Sequence, residues 1–124
     1  MTDAFYRVAP GVWLEHENVG SACVVEVSGV VDVYGAPVLR DFLKARIAEG
    51  DSRLIVDLTA MDFLDAVGLG VLVGALKRVR AVGGTMRLVV EERMLRIFEV
   101  TALHTVFGFC ATVEAAVAEL AKES

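Results

Sequence analysis

The sequence predicts a single α/β domain built on a mixed sheet of four to five strands. Three observations carry that expectation. Short β-branched apolar runs alternate with stretches whose apolar residues recur at helical spacing, the pattern of strands joined by crossover helices. The first two strand segments, Gly11 to Glu17 and Ala22 to Ser28, are separated only by the turn Asn18-Val19-Gly20-Ser21, which makes an antiparallel hairpin and therefore a mixed sheet. The chain of 124 residues shows no repeat, low-complexity segment or interdomain linker, so 1–124 reads as one domain with its core over about 11–120.

Val12-Trp13-Leu14, within Gly11 to Glu17 and loosely preceded by Phe5-Tyr6, is the first strand. Ala22 to Ser28 is the second, ended by Gly29, and Val30-Val31-Asp32-Val33-Tyr34-Gly35 reads as a loop. Pro37 suits the first position of the helix that follows, because the N–H it lacks has no partner there. That helix turns Val38, Leu39, Phe42, Leu43 and Ile47 inward and Arg40, Lys44 and Glu49 outward, and it stops at Gly50. Leu54-Ile55-Val56 is a buried strand expected to end at Asp57, leaving Met61 to Asp65 as a loop. From Ala66 onward Leu69, Leu72, Leu76 and Val79 form the core stripe of a second helix. Lys77, Arg78 and Arg80 fill its last turns, where cations complement the helix dipole, and Gly83-Gly84 supplies the stop. Met86 to Val90 is another strand, and Glu91-Glu92 lead a helix through Met94, Leu95, Ile97 and Phe98. Val106-Phe107 is expected as a short edge strand. Thr112 caps a last helix carrying Val113, Ala116, Val117 and Leu120 inward, frayed from Ala121 to Ser124.

The helix from Ala66 has an unusual outer face. Val67, Val71 and Ala75 with Gly70 and Gly74 leave its first turns without a charge. Each interior glycine costs a helix roughly 1 kcal/mol relative to alanine. Such a helix needs close backbone approach, either within its own domain or against a partner that meets its N-terminus, and both readings stand at this point. Asp65, just ahead of the helix, is placed to accept hydrogen bonds from its exposed backbone amides, and Asp32 has the chemistry of a turn residue.

Composition excludes several classes. The apolar share of 56% is high, but the longest uncharged apolar run, Ala66 to Leu76, is far short of the ~20 residues of a membrane span. Met1-Thr2-Asp3 does not open a signal peptide, so a soluble cytoplasmic protein with no membrane partner is expected. A net charge of −5 and the lack of a basic stripe argue against nucleic acid. Cys23 and Cys110 stand alone in apolar settings and read as buried free thiols. His16 and His104 have no nucleophile in a recognisable motif, and no metal-ligand spacing occurs. Gly68-x-Gly70 has Val73 where a dinucleotide loop needs its third glycine, and no Gly-Lys-Ser/Thr follows. No catalysis, cofactor or metal is expected.

The string Asp57-Leu58 to Phe63-Leu64-Asp65-Ala66-Val67-Gly68-Leu69-Gly70-Val71-Leu72, then Gly83-Gly84 and Leu88-Val89-Val90, resembles the STAS domain. More narrowly, it resembles the free-standing bacterial anti-sigma-factor antagonists. Gly29-Val30-Val31-Asp32 upstream, and Arg96-Ile97-Phe98 through Leu103 to Val106-Phe107 downstream, extend the resemblance over nearly the whole chain. The resemblance implies helices largely on one side of the sheet. It also implies a non-enzymatic protein that binds an anti-sigma factor of the histidine-kinase-like ATPase type and frees a sigma factor for transcription. Asp32 and Asp65 match family aspartates beside the phosphorylation site. The residue after the second is a serine or threonine in the phosphorylated antagonists; here it is Ala66, followed by Val67. A phosphate would add about −1.5 to −2 charges to the surface meant for the partner, and alanine removes that switch.

Three readings of Ala66 follow: a native antagonist permanently competent to bind or regulated by other means, a serine-to-alanine replacement that locks that form, or a STAS module outside any phosphorylation switch. Thr59 is a nearby hydroxyl and the alternative phosphate acceptor, with turn chemistry as its ordinary role. The residues expected to meet the partner are Val31, Asp32, Val33, Asp65, Ala66, Val67, Gly68 and Gly70, with Lys77, Arg78 and Arg80 as an extension or a solvated helix end. The alternatives are a small-ligand (nucleotide) sensor and a scaffold subunit of a stress-signalling assembly, with the oligomeric state open.

Overall fold

A computed structural model describes residues 6–9 and 11–123 of the chain. The elements run β1 (Tyr6–Ala9), β2 (Val12–Val19), β3 (Ala22–Val31), α1 (Ala36–Ala48), β4 (Arg53–Leu64), α2 (Ala66–Ala81), β5 (Thr85–Val89), α3 (Glu92–Val100), β6 (Gly108–Cys110) and α4 (Val113–Lys122). The strands stand side by side in chain order. β1, β2 and β3 pair antiparallel, and β3, β4, β5 and β6 pair parallel. The α/β mixed sheet is therefore as expected. Five strands, β2 to β6, reach the upper end of the expected four to five, and β1 adds a sixth at the edge. β1 is four residues long and its register with β2 slips between Arg7 and Ala9, too little pattern for the sequence to reveal. Phe5, read together with Tyr6, lies outside the described residues.

Three consecutive parallel crossovers that advance in one direction, each right-handed, must lay their helices on one face. Leu39 and Leu43 of α1, Leu69, Leu72, Leu76 and Val79 of α2, and Met94 and Phe98 of α3 are buried there against Val25, Val27, Leu54, Val56, Leu58 and Leu88 of the sheet. α4 returns over the opposite face, where Ala116 and Leu120 pack on Ala22, Val24, Ile55, Val89 and Cys110. Arg87 pins α4 down through ion pairs to Glu119, at 2.9 Å, and to Glu123. Cys23 and Cys110 are buried and neither is in a disulfide, as the sequence predicts.

Two strands outrun their expected ends. β3 does not stop at Gly29 but reaches Val31, and β4 does not stop at Asp57 but reaches Leu64. The cause is mutual: the two pair in parallel as far as Val31↔Leu64, absorbing irregularities between Glu26 and Ser28 and between Gly29 and Val30. Gly29 sits inside that bulge with φ +92, where the carbonyl of Gly11 comes too close for any side chain. The last strand is also displaced, occupying Gly108–Cys110 in place of Val106-Phe107. Phe107 is buried instead, its ring edge-on to Phe98 at 5.8 Å and to Phe109 at 6.1 Å.

On the face that α4 shares, Glu15, Glu26 and Asp57 stand directly opposite one another on β2, β3 and β4. Burial, and then the charges of Glu15, Asp57 and Glu17, raise Glu26 above its ordinary carboxylate value. A raised folded-state value means that this group's stabilising contribution is full below its unfolded value and is lost as pH rises through the folded one. Glu26→Gln is therefore expected to melt at a higher temperature than the parent at about pH 7, with the gap closing as pH falls toward about 4, as thermal melts at both pH values would show.

Candidate functional site

The paired ends of β3 and β4 define the site. Each strand is followed at once by an aspartate, Asp32 after Val31 and Asp65 after Leu64, so strand pairing brings two carboxylates together from residues far apart in the chain. Asp65 is the N-cap of α2: its Oδ1 accepts from the backbone N–H of Val67 at 3.0 Å and of Gly68 at 3.1 Å. Asp32 does the same for the turn into α1, its Oδ1 accepting from Tyr34 N–H at 3.0 Å and Gly35 N–H at 3.1 Å. Both roles are those the residue types predict. Asp65→Ala is expected to lower unfolding free energy by about 0.5–2 kcal/mol in urea titration, the usual cost of a lost cap.

The glycines of α2 divide between the two readings of its small-residue face. A Cβ on Gly68 would lie 2.4 Å from Leu64 Cδ1 and 3.2 Å from Val31 Cγ1, so Gly68 is small because the helix start packs on the strand ends. Gly70 is exposed with nothing within 4 Å, and a Cβ on Gly74 would meet only Arg78 Nη1 at 3.4 Å. Internal packing therefore explains the first glycine and not the other two.

Of the residues the sequence assigns to the site, Val31 and Gly68 are buried and shape it from beneath. Asp32 and Asp65 are half-buried, and Val33, Ala66, Val67 and Gly70 are open. Tyr34 and Phe63, which lie in the two expected loops without being singled out there, join them: relative exposure is 56% at Val33, 79% at Tyr34, 49% at Phe63 and 46% at Val67. Large apolar side chains this open, at the end of the sheet where β3 and β4 stop, make that end a candidate contact surface. Aromatic residues between turn residues were the available signal. Arg93 went unnoticed in the sequence; its guanidinium donates to Met61 O at 3.0 Å and pairs with Glu91 at 3.3 Å, tying the start of α3 to β4.

The alternative hydroxyl does not face this surface. Asp57, Thr59 and Ile55 alternate with the core residues Val56 and Leu58, which puts them on the α4 side of the sheet. There the Thr59 hydroxyl donates to Oδ1 of buried Asp57 at 2.7 Å. A separate cleft of about 370 Å³ is lined by Val90, Glu92, Leu95, Phe109, Cys110 and Ala111, with no basic side chain among them. Burial, and then the hydrogen bond to Glu119, push the Cys110 thiol up, so it stays protonated. Among the described residues no group of three or more His, Cys, Asp or Glu is placed to hold a metal ion, and no helix is long and apolar enough to cross a membrane. His16 rests edge-on against Phe42 at 5.6 Å, and His104 is exposed.

Comparison with known proteins bears on the same stretch. Residues 14–116 match the family model described as the STAS domain. The anti-sigma-B factor antagonist of Bacillus subtilis is 38% identical over 94 residues, spanning 75% of this chain and 85% of that protein. The crystal structure of an anti-sigma factor antagonist from Mycobacterium paratuberculosis superposes with a TM-score of 0.81 at 28% identity, covering 90% of this chain and 96% of that one. The anti-sigma factor antagonist SpoIIAA in its unphosphorylated form shares the fold, with a TM-score of 0.74 at 21% identity over 88% of this chain and 96% of its own.

Proposed function

Because the chain belongs to the STAS domain family, among the anti-sigma-factor antagonists, we propose that it binds an anti-sigma factor of the histidine-kinase-like ATPase type and so frees a sigma factor for transcription in the cytoplasm. It does this as a binding protein, without catalysis and without a cofactor. One observation carries the reading: the exposure of Val33, Tyr34, Phe63 and Val67, with Ala66 and Gly70, at the end of the sheet where two parallel strands hand over to two helices. The aromatic and aliphatic side chains supply the desolvated centre of the interface, and Asp32 beside them sets orientation. Ala66 and Val67 offer no hydroxyl at the head of α2, so this surface has no phosphate switch of the family's kind and stays competent to bind.

The test uses the source organism's purified kinase-type anti-sigma factors, titrated one at a time by calorimetry. One of them is expected to bind saturably, to bind equally well after incubation with Mg-ATP, and to leave the mass of this chain unchanged. A phosphorylated product would overturn the permanently competent state. Absence of binding to every member of the set, or saturable uptake of GTP or ATP in equilibrium dialysis, would overturn the antagonist reading in favour of a ligand sensor.

A further inference from the structure

α2 is segregated by charge along its length. From Ala66 to Ala81 it holds no acidic residue, and its three cations, Lys77, Arg78 and Arg80, fall in the last turns. All three are exposed, and among the described residues none of them has an ion-pair partner. The acids of the neighbouring α1 region are taken up elsewhere: Asp41 by Arg40, and Glu49 and Asp51 by Arg46. Complementing the helix dipole accounts for cations at this end but not for the position of one of them. The Arg78 guanidinium lies one turn back, against the place where residue 74 would carry a Cβ, with Nη1 3.4 Å from it. Gly74 is thus a notch into which the arginine folds, in the same outward stripe as Val67 and Gly70.

At 1.5 Å rise per residue the notch is about 10 Å along the axis from Val67. A standard interface buries about 800 Å² per partner, a footprint of about 16 Å radius, so a protein centred on Ala66 and Val67 covers the notch as well. A planar guanidinium at that position is matched by a carboxylate, which it holds with two parallel hydrogen bonds. Resting on the docking reading above, we infer that the partner surface continues along α2 to Arg78, and that the anti-sigma factor meets it there with an acidic side chain. Gly74 holds the guanidinium down in position for that pair.

The experiment is calorimetry of variants against the same purified anti-sigma factor that binds the parent chain. Arg78→Glu is expected to weaken binding about tenfold or more, and Arg78→Lys about threefold, because an ammonium lacks the fork. Arg80→Glu, a like charge change off the stripe, is expected to stay within about threefold. Gly74→Leu keeps the arginine and improves helix propensity, so a loss of about fivefold without a fall in melting temperature reads the notch itself. Equal losses from Arg78→Glu and Arg80→Glu, or unchanged binding by Gly74→Leu, would overturn the inference. If Val67→Glu abolishes binding while Arg78→Glu does not, the extension along α2 falls alone. If Val67→Glu binds like the parent, the docking reading falls and takes the extension with it.

Discussion

Ala66→Glu and Val67→Glu are each expected to reduce affinity for the anti-sigma factor by about a hundredfold or more, because a carboxylate buried against a partner without its own counter-charge costs several kcal/mol. Both positions are open in the free protein, Val67 at 46%, so the new side chains have room and water until the partner arrives. They also sit in the first turn of α2, where the exposed amides favour negative charge. Folding is therefore spared, and the melting temperature should hold or rise slightly while binding is lost. That combination separates a damaged surface from a damaged fold. Calorimetry that finds either variant binding like the parent would remove the surface at the head of α2 from the interface.

Gly29→Ala carries the largest expected loss of stability. Its φ of +92 is a conformation that side chains other than glycine's resist, and a Cβ would lie 1.9 Å from the carbonyl oxygen of Gly11. That oxygen already accepts from Val30 N–H at 2.9 Å, so it cannot retreat without giving up the bond that fixes the bulge. Strain of about 1–3 kcal/mol adds to about 1–3 kcal/mol of overpacking, a large part of the roughly 5–15 kcal/mol that a domain of this size has in hand. Urea titration should show the drop directly. Because the bulge aims Val30 to Asp32, residual folded protein should also bind the partner more weakly. A variant within experimental error of the parent would mean that the strand crossing beside Gly11 is looser than its geometry says.

Much of the fold was legible from local pattern. α1, α2 and α4 announce themselves by apolar spacing, by Pro37 at a helix start and by the caps Asp65 and Thr112, because each of those signals lives within one or two turns. What escaped notice is non-local. The second half of β4 reads Thr59-Ala60-Met61-Asp62, a broken alternation that stays a strand only because β3 continues to pair with it. β6 has three residues and is held by β5, a partner far away in the chain. The site shows the same division. Asp32 and Asp65 could be picked out one by one from turn and cap chemistry, but their adjacency follows from parallel pairing. Val31 and Gly68 belong to the right motif yet face inward, since a side chain's direction at a strand end depends on how many bulges precede it. Tyr34 and Phe63 are open where aromatic residues are more often enclosed, and only the finished packing decides that.

The strand order β1 to β6 is also the order of synthesis. Every new strand finds its neighbour already made, so the sheet can be laid down at one growing margin as the chain leaves the ribosome, without waiting for a distant segment to come back. Both segments proposed to meet the partner, at the ends of β3 and β4, precede β5, and only the closing helix, α4, must fold over to the other side at the end. A nascent chain halted after α2 would already carry every residue of the proposed docking end.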